Sequence, residues 1–173
     1  VDAAVAALRA TLDGEPAFDL IFVVAGVATQ AGMPAGQMPR EVVGQVFQTN
    51  AISPIRFAES FHKRVAASGV IAFMTSKLGS VSLNQGGGWG SYRASKAALN
   101  TLARSFAGQH SKASWRVILM HPGWVRTDLG GGRATLDVDT SVRGMVALLE
   151  RCLEQGDRGG CVFLDYQGQT VPW

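Results

Sequence analysis

At 173 residues the chain has the size of one domain and can bury a substantial core. Apolar residues make up 47% and charged residues 17%, which excludes a disordered chain. The net charge of +3 comes from scattered Lys and Arg with no run of five or more, which argues against a nucleic-acid partner.

Residues 2–12 place Ala, Val and Leu at helical spacing with Asp2 as N-cap, and Gly14 and Pro16 end the helix. Residues 19–26 (DLIFVVAG) form a short apolar run with β-branched residues, predicting a strand covered on both faces. A polar loop reaches Met38. Pro39 then suits the first turn of a helix predicted to run to about Ala67, interrupted at Pro54. Residues 70–75 (VIAFMT) predict a second buried strand, and a loop ending in Gly86–Gly88 follows. Residues 91–109 are Ala-rich and helical, 115–120 (WRVILM) are a third strand stopped by His121-Pro122-Gly123, and a loop through Gly130–Gly132 leads to a helix over 139–153. Residues 161–165 (CVFLD) make a fourth strand. Apolar strands alternating with helices predict an α/β fold, a parallel sheet sandwiched by helices.

No apolar run reaches ~18 residues and no charged-then-apolar leader is present, so no membrane partner and a cytoplasmic location are expected. Cys152 and Cys161 lack a ligand or redox spacing and are expected to be free thiols. His62, His110 and His121 are dispersed, so no metal site is expected.

The chemistry concentrates around Tyr92 and Lys96. A lone Tyr-x-x-x-Lys is weak, since two Tyr and four Lys supply one by chance with probability about 0.05. Its setting is more telling: Ser91-Tyr92-Arg93-Ala94-Ser95-Lys96 opens a helix, and Ser76 follows the preceding strand. Residues i and i+4 share a helix face. A Lys ammonium ~5 Å from a phenol, at an effective dielectric near 20, contributes roughly 3 kcal/mol, about two pK units. That is expected to lower the Tyr92 pKa toward neutrality, where it can exchange a proton with an alcohol or carbonyl. Asn50 carries a separate argument. Pro54 has no N–H, so the carbonyl of residue 50 loses its helical partner, a kink is expected, and the freed carbonyl can hold a water.

These segments together resemble the short-chain dehydrogenase/reductase family, in particular its C-factor (C-signal)-like and small carbonyl reductase members. The resemblance rests on TSKLGSVSLNQGGGWGSYRASKAALN, on HPGWVRTD after the next strand, on FVVAGV where the family has Asn-Asn-Ala-Gly, and on the terminal DYQGQTVPW. It covers nearly the whole chain and implies a Rossmann-like doubly wound sheet. It also implies NAD(P)-dependent hydride transfer between a nicotinamide cofactor, NADP or NAD, and a small carbonyl or alcohol substrate. By the resemblance Tyr92 is the general acid/base and Lys96 lowers its pKa and bonds the nicotinamide ribose. Ser76 holds the carbonyl oxygen, preferred over Ser80 because it follows the strand end directly, and Asn50 is the fourth catalytic residue. Pro122, Gly123, Trp124 and Val125 line the nicotinamide face, with Thr127 on the carboxamide or phosphate. Ala25 and Gly26 lie under the adenine ribose. Trp89 and Trp124 either wall the substrate pocket or pack in the core.

Two departures matter. Val23 and Val24 replace the family's two asparagines, and no Gly-rich phosphate turn between a first strand and first helix is present. Residues 1–173 therefore read as a single partial Rossmann-fold domain lacking its N-terminal strands, with the strand at 20–24 left as an apolar edge. The preferred account is part of a longer enzyme. The others are a shortened, non-catalytic C-signal-like signalling or binding form, and a partner copy pairing along that edge. The resemblance leaves homodimer and monomer both open.

Overall fold

The computed structural model describes residues 2–156 and 159–173. Helix α1 (Asp2–Thr11) precedes strand β1 (Phe18–Val23), and the Asp2 side chain, read as its N-cap, lies outside the described residues. Helices α2 (Arg40–Phe47) and α3 (Ser53–Phe61) lead to strand β2 (Val65–Met74). Helix α4 (Gly90–Gln109), strand β3 (Arg116–His121), helix α5 (Val138–Gln155) and strand β4 (Cys161–Asp165) complete the order.

All neighbouring strand pairs are parallel and the order is β1-β2-β3-β4, with β1 and β4 at the edges. Successive side chains of a strand point to opposite faces. Ile71 and Phe73 of β2, with Val117 and Leu119 of β3, pack on Ala58 and Phe61 of α3 and on Leu99, Ala103 and Phe106 of α4. The intervening Val70, Ala72, Ile118 and Met120 pack on Met145, Leu148, Leu149 and Cys152 of α5. Both faces of the sheet are thus apolar, which is why each strand reads as an unbroken hydrophobic run. No described helix is long and apolar enough to cross a membrane.

The predicted helix from Pro39 to Ala67 requires two corrections. Pro54 can donate nothing to the carbonyl four residues back, and the backbone widens into a π-turn over Gln48–Ile52, where the Ser53 N–H bonds the Gln48 carbonyl. The helix also stops at Phe61, and Val65, Ala66 and Ala67 belong to β2, with Val65 paired to Phe18. The pairing skips between Phe18 and Leu20, a bulge that accommodates the extra residues of β2. Gly69 makes this possible, because a Cβ there would lie 2.9 Å from the Asp19 carbonyl oxygen. A bulge leaves no periodicity for the sequence to show.

Candidate active site

Tyr92, Lys96 and Asn100 follow one another at four-residue steps on α4, so one face of the helix carries all three, and each is buried. That face meets the short turn Lys77–Gly79 that follows β2. Gly79 allows the close approach: a Cβ on it would lie 2.9 Å from the Lys96 carbonyl carbon. The Asn100 side chain accepts from Thr75 Oγ1 at 2.6 Å and donates to the Gly79 carbonyl at 3.3 Å, locking the end of β2 onto α4. Ser76 sits between these ties. Its Oγ accepts from the Leu78 N–H at 3.1 Å, and its hydroxyl donates to the Tyr92 phenolic oxygen.

The other serine has a different place. Ser80 Oγ accepts from the Leu83 N–H at 3.3 Å and pairs with Ser82, and it does not line the cleft that Ser76 and Tyr92 share. Local backbone capping accounts for it.

Asn50 is fully buried and acts as a clamp. Its Oδ1 accepts from the Val27 N–H at 2.7 Å, and its Nδ2 donates to the Val27 carbonyl at 2.8 Å and to Ser95 Oγ at 2.9 Å. The π-turn, α4 and the loop after β1 are therefore tied at one point. Gly26, in that loop, lies beside it: a Cβ there would be 3.2 Å from Lys96 Nζ and 3.5 Å from Asn50 Oδ1.

Lys96 Nζ donates to the Met74 carbonyl at 2.9 Å, and burial lowers its pKa to about 8. The Tyr92 pKa is raised above 10 by burial, with the Ser76 hydrogen bond partly opposing this. The depression of Tyr92 by Lys96 expected from sequence is thus corrected. Desolvation penalises the phenolate more than any stabilisation it receives, and the ammonium is aimed at the end of β2, 5.9 Å from the Tyr92 ring centre.

These groups open into a cleft of about 1010 Å³ at the carboxyl ends of β1, β2 and β3, where open parallel sheets bind ligands. Gly26, Ser76, Tyr92, Lys96, Pro122, Gly123, Trp124, Val125 and Thr127 all line it, and so does Trp89. Two expected site residues do not line it: Asn50 is fully buried behind the wall, and Ala25 is exposed and turned off it, because alternate residues leaving β1 point to opposite sides. Trp89 meets the Tyr92 ring edge-on at 5.8 Å, and its backbone is left-handed at φ 55°. Half-exposed Trp124 donates its indole N–H to the Gly130 carbonyl at 2.8 Å. Both tryptophans are therefore cleft walls, not core. Gly123, at φ 90°, is required by its own turn and by Leu136, whose Cδ2 would lie 2.7 Å from a Cβ there. The Thr127 hydroxyl accepts from the Gly130 N–H at 3.1 Å and so braces the Gly130–Gly132 loop.

Comparison with known proteins identifies the family. A family model described as enoyl-(acyl carrier protein) reductase matches residues 1–164. The chain belongs to the short-chain dehydrogenase/reductase family. A short-chain dehydrogenase/reductase structure from Burkholderia multivorans, with bound NADP, is 40% identical and superposes with a TM-score of 0.91 over 98% of this chain and 72% of that one. A Pseudomonas aeruginosa carbonyl reductase in complex with NADP is 38% identical, with a TM-score of 0.86 over 98% of this chain and 72% of that one. The C-signal protein of Myxococcus xanthus is 40% identical over 133 residues, 76% of this chain and 78% of that one.

Within this short-chain dehydrogenase/reductase, sequence reading missed the supporting residues. Asn100 and Ser95 were legible as members of the Tyr92 and Lys96 helix face. Thr75 and Gly79 had no signal, because their roles depend on a contact between segments. His121 was also missed as a cleft residue. It lines the cleft at the end of β3, its Nδ1 has no hydrogen-bond partner among the described residues, and burial, aided by Lys77 and opposed by Asp165, lowers its pKa to about 4. It is a neutral imidazole at the cleft floor.

Proposed function

We propose that this protein reduces a small carbonyl compound to an alcohol at the expense of NADPH, with Tyr92 as general acid, and runs the reverse oxidation when alcohol is in excess. The observation that carries this reading is the convergence of Tyr92, Ser76 and Lys96 on one cleft wall, at the ends of parallel strands. The NADP bound to the Burkholderia and Pseudomonas relatives supports the choice of cofactor.

The residues fit a nicotinamide cofactor. Lys96 has the Met74 carbonyl as acceptor for one N–H, and its two others have none among the described residues while the side chain lines the cleft. They suit ribose hydroxyls. Gly26 leaves room beside them that a Cβ would fill. Val125 and Thr127 line the same cleft and suit the carboxamide or phosphate. When bound, the nicotinamide supplies the hydride to the carbonyl carbon.

The chain's own residues handle the oxygen. The Ser76 hydroxyl and the Tyr92 O–H both reach the carbonyl oxygen, and Tyr92 gives it the proton as negative charge builds there. A high pKa suits this direction, since Tyr92 arrives protonated at neutral pH. The Ser76 hydroxyl favours the phenolate left behind, Lys96 holds the ribose, and Asn50 acts by keeping the loop after β1 and Ser95 in place. Trp89 closes the substrate side against water.

A second reading has its own observation, the 40% identity with C-signal: a binding or signalling protein in which the site is inherited and unused. Titration with NADPH followed by fluorescence, and NADPH oxidation with small aldehydes and ketones, separates the two. Micromolar NADPH binding and turnover that falls about 10²–10⁴-fold in Tyr92→Phe is expected. NADPH binding without turnover, or no binding, removes catalysis by this chain and leaves the binding reading.

A further inference from the structure

Far from the cleft, three side chains that the sequence scatters are brought together. Glu59 is in the last turn of α3, His62 caps the same helix, and His110 caps α4. Their ligand-type atoms all lie within 4.8 Å of one another, and His110 Nε2 stands 3.5 Å from Glu59 Oε2. Tyr92 lies near the other end of α4, eighteen residues away or roughly 27 Å along the axis, so this cluster has no part in the cleft.

We propose that Glu59, His62 and His110 bind a late first-row divalent metal ion, Zn²⁺ above all, which clamps the C-terminal ends of α3 and α4 together. Four features carry the assignment. Two imidazoles and a carboxylate are the donor set that Zn²⁺ takes with a water as fourth ligand. With bonds of ~2.0–2.1 Å, the donors of a tetrahedral site stand about 3.3 Å apart, and the Glu59–His110 pair is already near that spacing. The remaining closure is a matter of side-chain rotation, since the His110 and Glu59 side chains are 25% and 43% exposed. Both histidines also cap helices, so the negative ends of two helix dipoles face the ion.

The surroundings suit the ion. Trp115 stacks on Phe106 at 5.5 Å and 16°, and both rings lie within about 6 Å of the two imidazoles, which excludes water from one side. The two imidazole rings stand 4.2 Å apart.

The test is calorimetric titration of the 173-residue chain with Zn²⁺, with Co²⁺ as the spectroscopic substitute. One equivalent bound at micromolar Kd or tighter, with the visible bands of four-coordinate Co²⁺, is expected. His110→Gln should weaken binding by about 100-fold or more, beyond the 10–100-fold that an outer-shell partner carries. Glu59→Gln, at a carboxylate 43% exposed, should weaken it at least about tenfold, and keeps the test valid where His110→Gln fails to fold. Cys161→Ser should leave binding unchanged. No stoichiometric binding, binding unaffected by Glu59→Gln, or binding abolished by Cys161→Ser overturns the proposal.

Discussion

The two rims of the cleft are built on different principles. The rim formed by α4 and the end of β2 is tied across the fold: Asn50, Lys96 and Asn100 are buried, and each bonds a segment more than twenty residues away. The rim formed by Trp124 to Leu136 bonds mostly to itself, through Trp124 to Gly130, Thr127 to Gly130 and a bridge between Val125 and Leu136, and its side chains are largely exposed. The groups proposed to move protons all sit on the first rim. The second supplies walls and a loop with little to hold it against a ligand that draws it closer. Stability and chemistry thus share one set of residues, and binding shape is delegated to another.

The contrast predicts where damage spreads. Asn50→Ala should be the most costly single change, leaving the Val27 N–H, the Val27 carbonyl and Ser95 Oγ without their partner. At about 1–1.5 kcal/mol per bond the loss over three bonds is about 3–4.5 kcal/mol, read as a lower midpoint in urea at unchanged m-value. A loss below about 1 kcal/mol would mean that the tied rim is not what holds the cleft.

Two cleft groups with shifted protonation make stability depend on pH. His121 has a folded pKa of about 4 against 6.5 unfolded, so the unfolded chain takes up its proton first as pH falls. Stability should drop between pH 6.5 and 4 by about 3 kcal/mol, and His121→Asn should flatten that limb. Lys96 is also depressed, to about 8 from 10.5. The unfolded chain keeps that proton longer, so stability should instead rise between pH 8 and 10.5 by a similar amount, until Tyr92, whose raised pKa favours the neutral form, reverses the trend above pH 10. Urea midpoints across pH 4–10.5, with and without His121→Asn, resolve both limbs.

How legible this was depends on the range of the interaction. The parallel sheet could be read because β2 and β3 are apolar on both faces, and Tyr92 with Lys96 because helical periodicity is local. The interruption near Pro54 followed from one covalent fact, its missing N–H, but its form as a π-turn over Gln48–Ile52 did not. The start of β2 at Val65 did not, since a bulge paired across the sheet overrides the helical pattern of residues 62–67. The Tyr92 pKa was misread for a related reason: pair spacing was visible in the sequence, whereas the burial that outweighs it is a property of the assembled fold. The same limit hid Glu59, His62 and His110, whose separation along the chain says nothing about their separation in space.

Gly79→Ala tests the tied rim at a single contact. Its Cβ would meet the Lys96 backbone at 2.9 Å, and backbone cannot rotate away, so the turn carrying Ser76 must move off α4. Overpacking of this kind costs roughly 1–3 kcal/mol, and the displacement should also lower turnover by weakening the Ser76 to Tyr92 contact. A variant with reduced stability but unchanged turnover would place Ser76 outside the chemistry.

Trp124→Ala should have the smallest effect on folding. The side chain is 53% exposed and its indole bonds only the Gly130 carbonyl, an acceptor that water can serve equally well, so the change in stability should stay within about 0.5 kcal/mol. Its effect belongs to binding: without the wall, KM should rise several-fold while kcat changes little, because no proton-handling group has moved. A kcat loss comparable to that of Tyr92→Phe would show that the self-bonded rim positions the reacting atoms, and the division of labour between the rims would fall.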